Sequence, residues 1–326
     1  MFEEIAKGAE RDQVTKKITL FVLIVAILLE LFLRIDSSNM MLVITELRLP
    51  RLVLAFAVGS ALALSGLVMQ TVLNNPLAEP YTLGVASGAA LGAAIFKTLG
   101  ISMGFFGLNV GAVFGAMLVL FVLFKIVFKT QLRFDSVVLL GVMLSFNCAS
   151  MLSIWMALAD PVGVQSVTFW LLGDLSRVGL KTSISLLFLS LIFFTYFFRF
   201  SKKLDAFLFG ESMVEGFGVS LKDTQKVAVI LVSILVGFCV SAAGMIGFVG
   251  LMVPHFVRKK MGSSLHQKVL PFVFVWGGIC LILSDAIAHA IAFPLELPVG
   301  AVTSLLGAPV FIYLYVFQKS KGENVA

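Results

Sequence analysis

The chain has 326 residues, of which 60% are hydrophobic and only 13% charged, and its net charge is +6. Soluble globular proteins are nearer half apolar and a quarter charged, so a water-soluble domain is excluded, as is a transmembrane β-barrel, whose strands alternate polar and apolar residues. The basic surplus lacks a clustered basic face, interleaved aromatics or a reading motif, which argues against nucleic-acid binding.

Each bilayer crossing takes about 20 apolar residues. Apolar stretches fall near 18–33, 52–73, 83–99, 105–128, 136–158, 181–198, 227–243, 245–257, 270–288 and 301–317. The chain therefore reads as an all-α polytopic membrane protein of about ten transmembrane helices, with residues 1–326 forming one transmembrane domain. The first stretch follows Lys7, Arg11, Lys16 and Lys17 and lacks a small-residue cleavage site. It reads as a retained helix rather than a signal peptide. Glu30, near its outer end, is expected to reach the interface. With the N-terminus inside and the stretches alternating, eighteen Lys and Arg fall inside. Six fall outside: Arg34, Arg48, Arg51, Lys97, Arg177 and Lys181. That bias obeys the positive-inside rule and places both termini in the cytoplasm.

Residues 48–88 carry the densest signal. Arg48 and Arg51 sit outside, against the trend, and Pro50 suits a helix start. They are candidates either to snorkel to lipid headgroups or to pair with carboxylates. The helix breaks at LNNPLAEP (73–80) and restarts at Gly84, Gly88 and Gly92. Further small-residue ladders are Ala55, Gly59 and Ala63, and Gly107, Gly111 and Gly115, which suit close helix approach. The stretch 160–181, with Trp170, reads as an amphipathic helix at the interface. The polar stretch 204–223 reads as a cytoplasmic element. Written as a short helix, it places Met213, Val214 and Phe217 on one face and Glu211 and Glu215 on another, between Gly210 and Gly218. An apolar face at a solvent boundary suits a groove in a partner.

The eighth stretch is short and holds Pro254, so it reads as re-entrant. Gly59, Gly66, Pro76 and Gly84 recur at one offset as Gly237, Gly244, Pro254 and Gly262. That spacing predicts inverted five-helix repeats with broken segments at their meeting point. Asp285 is an acid in an apolar helix, which is costly and calls for a partner or a function. His255 reads as a hydrogen-bonded break residue, and His266 as a solvated loop residue. Cys148, Cys239 and Cys280 read as small hydrophobes, with no metal-ligand spacing.

Taken together, these residues resemble the FecCD-type permeases, membrane subunits of ABC importers for iron–siderophore complexes, haem and cobalamin. The resemblance rests on Arg48-Leu49-Pro50-Arg51; Ser65-Gly66 with Gln70; Asn75-Pro76-Leu77-Ala78-Glu79-Pro80; and Leu83-Gly84 with Ser87-Gly88-Ala89. Trp170 with Gly173 follows, then Gly244 to Leu251, Pro254-His255, Arg258 and Gly262. Asp285, Glu296-Leu297-Pro298-Val299-Gly300 and Gly307-Ala308-Pro309-Val310-Phe311 complete the ordered set.

The resemblance implies a permease in the cytoplasmic membrane that pairs with a second copy or a similar permease. It also implies a cytosolic ABC ATPase dimer and an extracytoplasmic substrate-binding protein as partners, and an iron–siderophore complex as the favoured cargo. By this resemblance Arg48 and Arg51 receive acidic side chains of the binding protein. A further family arginine is replaced by His289, so docking there is expected to vary with pH. Gly210, Glu211, Met213, Val214, Phe217 and Gly218 would couple to the ATPase. Met143, Asn147 and Met151 of the fifth helix, and Thr303 and Ser304 of the tenth, would line the pathway. No catalytic residue, metal or cofactor is expected in this chain. It has no GxxxxGK[ST] loop, which leaves ATP and Mg to the ATPase. The rival reading is an ion-coupled secondary carrier using Asp285 and the broken segments.

Overall fold

The computed structural model describes residues 2–32, 40–101, 104–105, 108–130, 134–176, 178–291 and 296–320. Arg34, Gly107 and Arg177, named above, lie outside the described residues. Among the described residues the regular structure is helical, apart from one two-residue antiparallel pair, β1 (Gly104–Phe105) and β2 (Leu108–Asn109). In order, the helices are α1 (Phe2–Phe32), α2 (Met40–Val43), α3 (Leu49–Val72), α4 (Val85–Thr98), α5 (Val110–Thr130), α6 (Phe134–Leu158) and α7 (Pro161–Leu171). Then come α8 (Leu180–Arg199), α9 (Ser201–Ala206), α10 (Glu211–Val214), α11 (Leu221–Ala243), α12 (Val249–Met261), α13 (His266–Ile291) and α14 (Val299–Ser320).

Each of the ten apolar stretches overlaps a helix among the described residues. Among the described residues, six helical segments are long and apolar enough to cross a bilayer: 41–72, 110–127, 137–158, 180–199, 221–243 and 266–291. The apolar helical segments 85–98 and 299–310 are shorter. α12, the eighth stretch, has only 13 residues, with Pro254 inside it.

α3 is the hub. From Leu54 onward nearly every residue is buried, and it packs on α8, α11, α12 and α13. Small residues make that possible. A Cβ on Gly59 would lie 2.3 Å from the Gly277 carbonyl oxygen of α13, and one on Gly66 would lie 1.8 Å from that of Gly250 in α12. The second ladder pairs α4 with α5 in the same way, Gly92 against Gly111 and Gly88 against Gly115. The ladders are thus internal packing. α6 is the opposite case, open along most of its length.

Trp170 is buried, its carbonyl lying under Gly244 and beside Gly173 at a tight crossing. α7 itself starts as its sequence implies, with the Asp160 carboxylate accepting from the Gly163 N–H at 2.7 Å and Pro161 following it. The proposed repeat finds no support in its matched glycines. Gly66 lies inside α3 whereas Gly244 ends α11, and Gly84 precedes α4 whereas Gly262 ends α12. Glu30 does not reach the interface; it is fully buried.

Candidate functional site

Three places gather the polar residues of this apolar chain. The first lies where the N-terminal end of α3 meets the C-terminal end of α13. The Arg51 guanidinium donates from Nε to Asp285 Oδ2 at 2.7 Å and from Nη2 to Asp285 Oδ1 at 2.8 Å. Nη1 donates to Glu296 Oε2 at 2.8 Å. Arg51 is 7% exposed and Asp285 0%. A forked donor meeting a planar carboxylate is the strongest pairing side chains offer. His289, one turn beyond Asp285, points Nδ1 at the Asp285 carbonyl (3.1 Å) and Nε2 at Glu296 Oε1 (3.2 Å). Arg48 Nη1 lies 3.6 Å from Glu30 Oε1 and donates to the Glu30 carbonyl at 3.4 Å.

Arg51 and His289, expected to receive acidic side chains of a partner, are found bonded inside the chain. Both are engaged within the chain, because Asp285 and Glu296 neutralise what would otherwise be a buried cation. The outward member of the cluster is Glu296, whose side chain is 52% exposed. Burial would raise its carboxyl, but the Arg51 guanidinium and His289 hold it below the usual range. Glu30, Asp285 and His289 bring three ligand-type atoms within 4.8 Å of one another. Both Asp285 oxygens accept from Arg51, so in this structure the cluster is an ion-pair network. For the same reason Asp285 is not a free acid of the kind a proton-coupled carrier needs.

The second place is where the two breaks meet. α3 ends at Val72, and the chain turns through Asn74 (φ +45°). Glu79 Oε1 accepts the Phe248 N–H at 3.0 Å, and the Tyr81 hydroxyl accepts that of Ile246 at 3.3 Å. Phe248 is held at φ +68°, a strained conformation for a residue with a side chain. Gln70 Nε2 donates to the Gly250 carbonyl at 3.2 Å, and Arg258 Nη2 donates to Gln70 Oε1. Both broken segments are thus joined by side-chain bonds to backbone groups that helix geometry leaves unpaired.

The third place is the 204–223 element, which is not one helix. Gly210 (φ +89°) and Gly218 (φ +71°) bracket it in conformations that side chains resist. Between them run α10 and a single 3-10 turn over Glu215–Phe217. Met213 and Phe217 are each 59% exposed, and the Phe217 ring lies tilted against that of exposed Phe209, with centroids 5.3 Å apart. Val214 is corrected: it is fully buried in the core. Four residues of helix put Met213 outward and leave its neighbour facing the body. The outward knob is therefore Phe209, Met213 and Phe217. Phe209 escaped the sequence reading because it precedes the glycine that turns the chain.

Beside this element, His266 is not solvated but buried, at 1% exposure. Its Nδ1 and its backbone N both lie 2.7 Å from Asp205 Oδ1, and its Nε2 lies 2.8 Å from Thr71 Oγ1. Burial alone would raise the Asp205 carboxyl, but its bonds to His266 hold it below the usual range. No local signal could have found this site, since its three members lie far apart in sequence.

The expected pathway residues divide. Met143, Asn147 and Met151 are exposed along α6. Thr303 is buried and its hydroxyl donates to the Gly300 carbonyl at 3.0 Å, as does that of Ser304 at 2.8 Å. Thr303 borders an apolar cavity of about 310 Å³ between α12, α13 and α14.

Residues 17–317 match the sequence model of the FecCD transport family. The chain is 34% identical over 288 residues to the vitamin B12 import system permease BtuC of Klebsiella pneumoniae, covering 88% of this chain and 86% of that one. It is 31% identical over 282 residues to the hemin transport system permease HmuU of Yersinia pestis, covering 85% and 84%. An inward-facing structure of a metal-chelate type ABC transporter superposes with a TM-score of 0.82 at 27% identity, over 91% of this chain and 97% of that one.

Proposed function

This chain belongs to the FecCD transport family as the permease of an ABC importer, and from that premise we propose that it carries an iron–siderophore complex across the cytoplasmic membrane. The observation that supports a chelate is what its relatives are named for. One moves vitamin B12, one hemin, and one solved neighbour is of the metal-chelate type. All are large ligands built around a metal, and an open, weakly polar α6 face with Met143, Asn147 and Met151 suits a cargo that must not stick. A second permease copy, or a similar chain, covers that face and α14 and closes the path between them.

Energy comes from a cytosolic ATPase dimer that holds ATP and Mg, docked on the Phe209–Met213–Phe217 knob. Truncation of such aromatic anchors dominates binding at most interfaces. On the outer side, a substrate-binding protein delivers the chelate. Its carboxylate exchanges for Glu296 on Arg51 Nη1, which leaves the Asp285 fork intact. His289, facing Glu296, makes that exchange sensitive to pH. Both termini lie in the cytoplasm.

The test is uptake by proteoliposomes holding the permease, the ATPase and the binding protein, offered ferric siderophore, hemin and cobalamin in turn. ATP-dependent accumulation of the ferric siderophore alone is expected. Accumulation of cobalamin or hemin alone would overturn the iron assignment. Uptake on an ion gradient without the ATPase would overturn the importer reading.

A further inference from the structure

The 204–223 element and the helix that continues from it are both hydrogen-bonded to the cytoplasmic end of the α3–α13 pair. At its front, Asp205 of α9 holds the ring and backbone N–H of His266, the first residue of α13, and that ring meets Thr71 in the last turn of α3. At its back, Gln225 Nε2 of α11 donates to the Val72 carbonyl that ends α3, at 2.8 Å. The pair itself is stiff. Backbones touch at Gly59 and Gly277, where a Cβ on either would come within 2.4 Å of the other's carbonyl oxygen. At the far end the Arg51–Asp285 fork joins the same two helices. Close-packed backbones bonded at both ends move as one body, since packed cores shift between discrete arrangements rather than deform.

We propose that the α3–α13 pair is the strut that carries motion between the cytoplasmic element and the outer rim, and that His266 is the positioning residue fastening the element to it. This rests on the importer reading given above. The chemistry suits the task. An ionised carboxylate only accepts hydrogen bonds, so Asp205 fixes the proton on Nδ1 and sets the ring plane. Nε2 is left to face Thr71, whose hydroxyl also reaches the Leu67 carbonyl at 2.9 Å. One imidazole thus spans three helices at the point where the element joins the body. His266 is buried whereas the knob is exposed, so it acts through Asp205 rather than on the ATPase.

The experiment uses the full assembly in proteoliposomes and reads cargo imported per ATP hydrolysed, together with stimulation of hydrolysis by the loaded binding protein. His266→Phe keeps an aromatic ring and loses the bonds. It is expected to assemble with the ATPase as the wild type does, while import per ATP falls about tenfold, the loss of one hydrogen bond to a charged group. His266→Gln keeps a donor and an acceptor and is expected to restore import per ATP to within about threefold of wild type, which a merely space-filling histidine would not require. Should His266→Phe not assemble, Asp205→Asn weakens the same bond at constant size and is expected to lower import per ATP by about threefold or more. Wild-type import per ATP and wild-type stimulation in the assembled variant would overturn the proposal. Lack of ATP-driven uptake by the wild type would overturn the importer reading, and this inference with it.

Discussion

Replacing Arg51 with Met separates the two roles that this arginine could play. In the structure its Nε and Nη2 satisfy both oxygens of a fully buried Asp285. Removing the guanidinium strands that carboxylate, and breaking a buried pair from one side costs about 3–5 kcal/mol. The converse change, Asp285→Asn, leaves Arg51 Nη1 on half-exposed Glu296, so its cost is smaller, about 1–3 kcal/mol. The double variant Arg51→Met/Asp285→Leu removes both charges and is expected to regain most of the loss, because a well-packed apolar pair often matches a buried ion pair. Each kcal/mol shifts the midpoint of a chain of this size by about 2 °C. Arg51→Met should therefore unfold about 6–10 °C below the wild type in detergent, with Asp285→Asn intermediate and the double variant close to the wild type. Tryptophan fluorescence against temperature reads all three. If Arg51→Met kept the wild-type midpoint yet lost binding-protein affinity, Arg51 would be a docking residue and the internal staple would be the wrong reading.

Gly66→Ala and Gly59→Ala push a Cβ into the Gly250 and Gly277 carbonyls, and each is expected to cost about 1–3 kcal/mol, with Gly66 the worse; Gly237→Ala, with 3.5 Å of clearance, should change the unfolding midpoint by no more than about 1 °C. Phe217→Asp is expected to weaken ATPase binding about tenfold or more with an unchanged midpoint, and Val214→Asp to lower the midpoint instead, so equal effects on both readouts would refute the assigned orientation. Glu296→Gln loosens its hold on Arg51 Nη1 and should raise binding-protein affinity by about threefold; a fall in affinity would place Glu296 itself in the contact. Asp205 has a depressed folded pKa, so its contribution to stability is complete above the ordinary carboxylate value and is lost as pH falls through the folded one. Midpoints measured from pH 6 down to pH 3 should thus fall less steeply in Asp205→Asn than in the wild type, and parallel curves would show that the His266 bond adds nothing.

The helices were legible because long apolar runs have one solution in lipid, and the ladders because Gly at every fourth residue has few uses other than close approach. Burial of individual polar residues was not. Glu30, Arg51 and His266 each read as surface groups from their neighbours in sequence. Their burial is set by partners that the sequence does not place nearby: Asp285 lies 234 residues from Arg51, and Asp205 lies 61 from His266. Val214 failed for a local reason. A four-residue helix followed by a 3-10 turn does not keep the 3.6-residue period on which the face was drawn.

The enclosure of α3 bears on how the chain is made. Its hydropathy suffices for insertion as it leaves the ribosome, yet most of the helices that cover it, α8 and α11 to α13, are still to be synthesised. Until they arrive, Arg51, Ser60, Ser65 and Gln70 must face lipid or borrowed water. A nascent chain halted after α6 would therefore display these groups to membrane quality control, and should be degraded faster than one halted after α13.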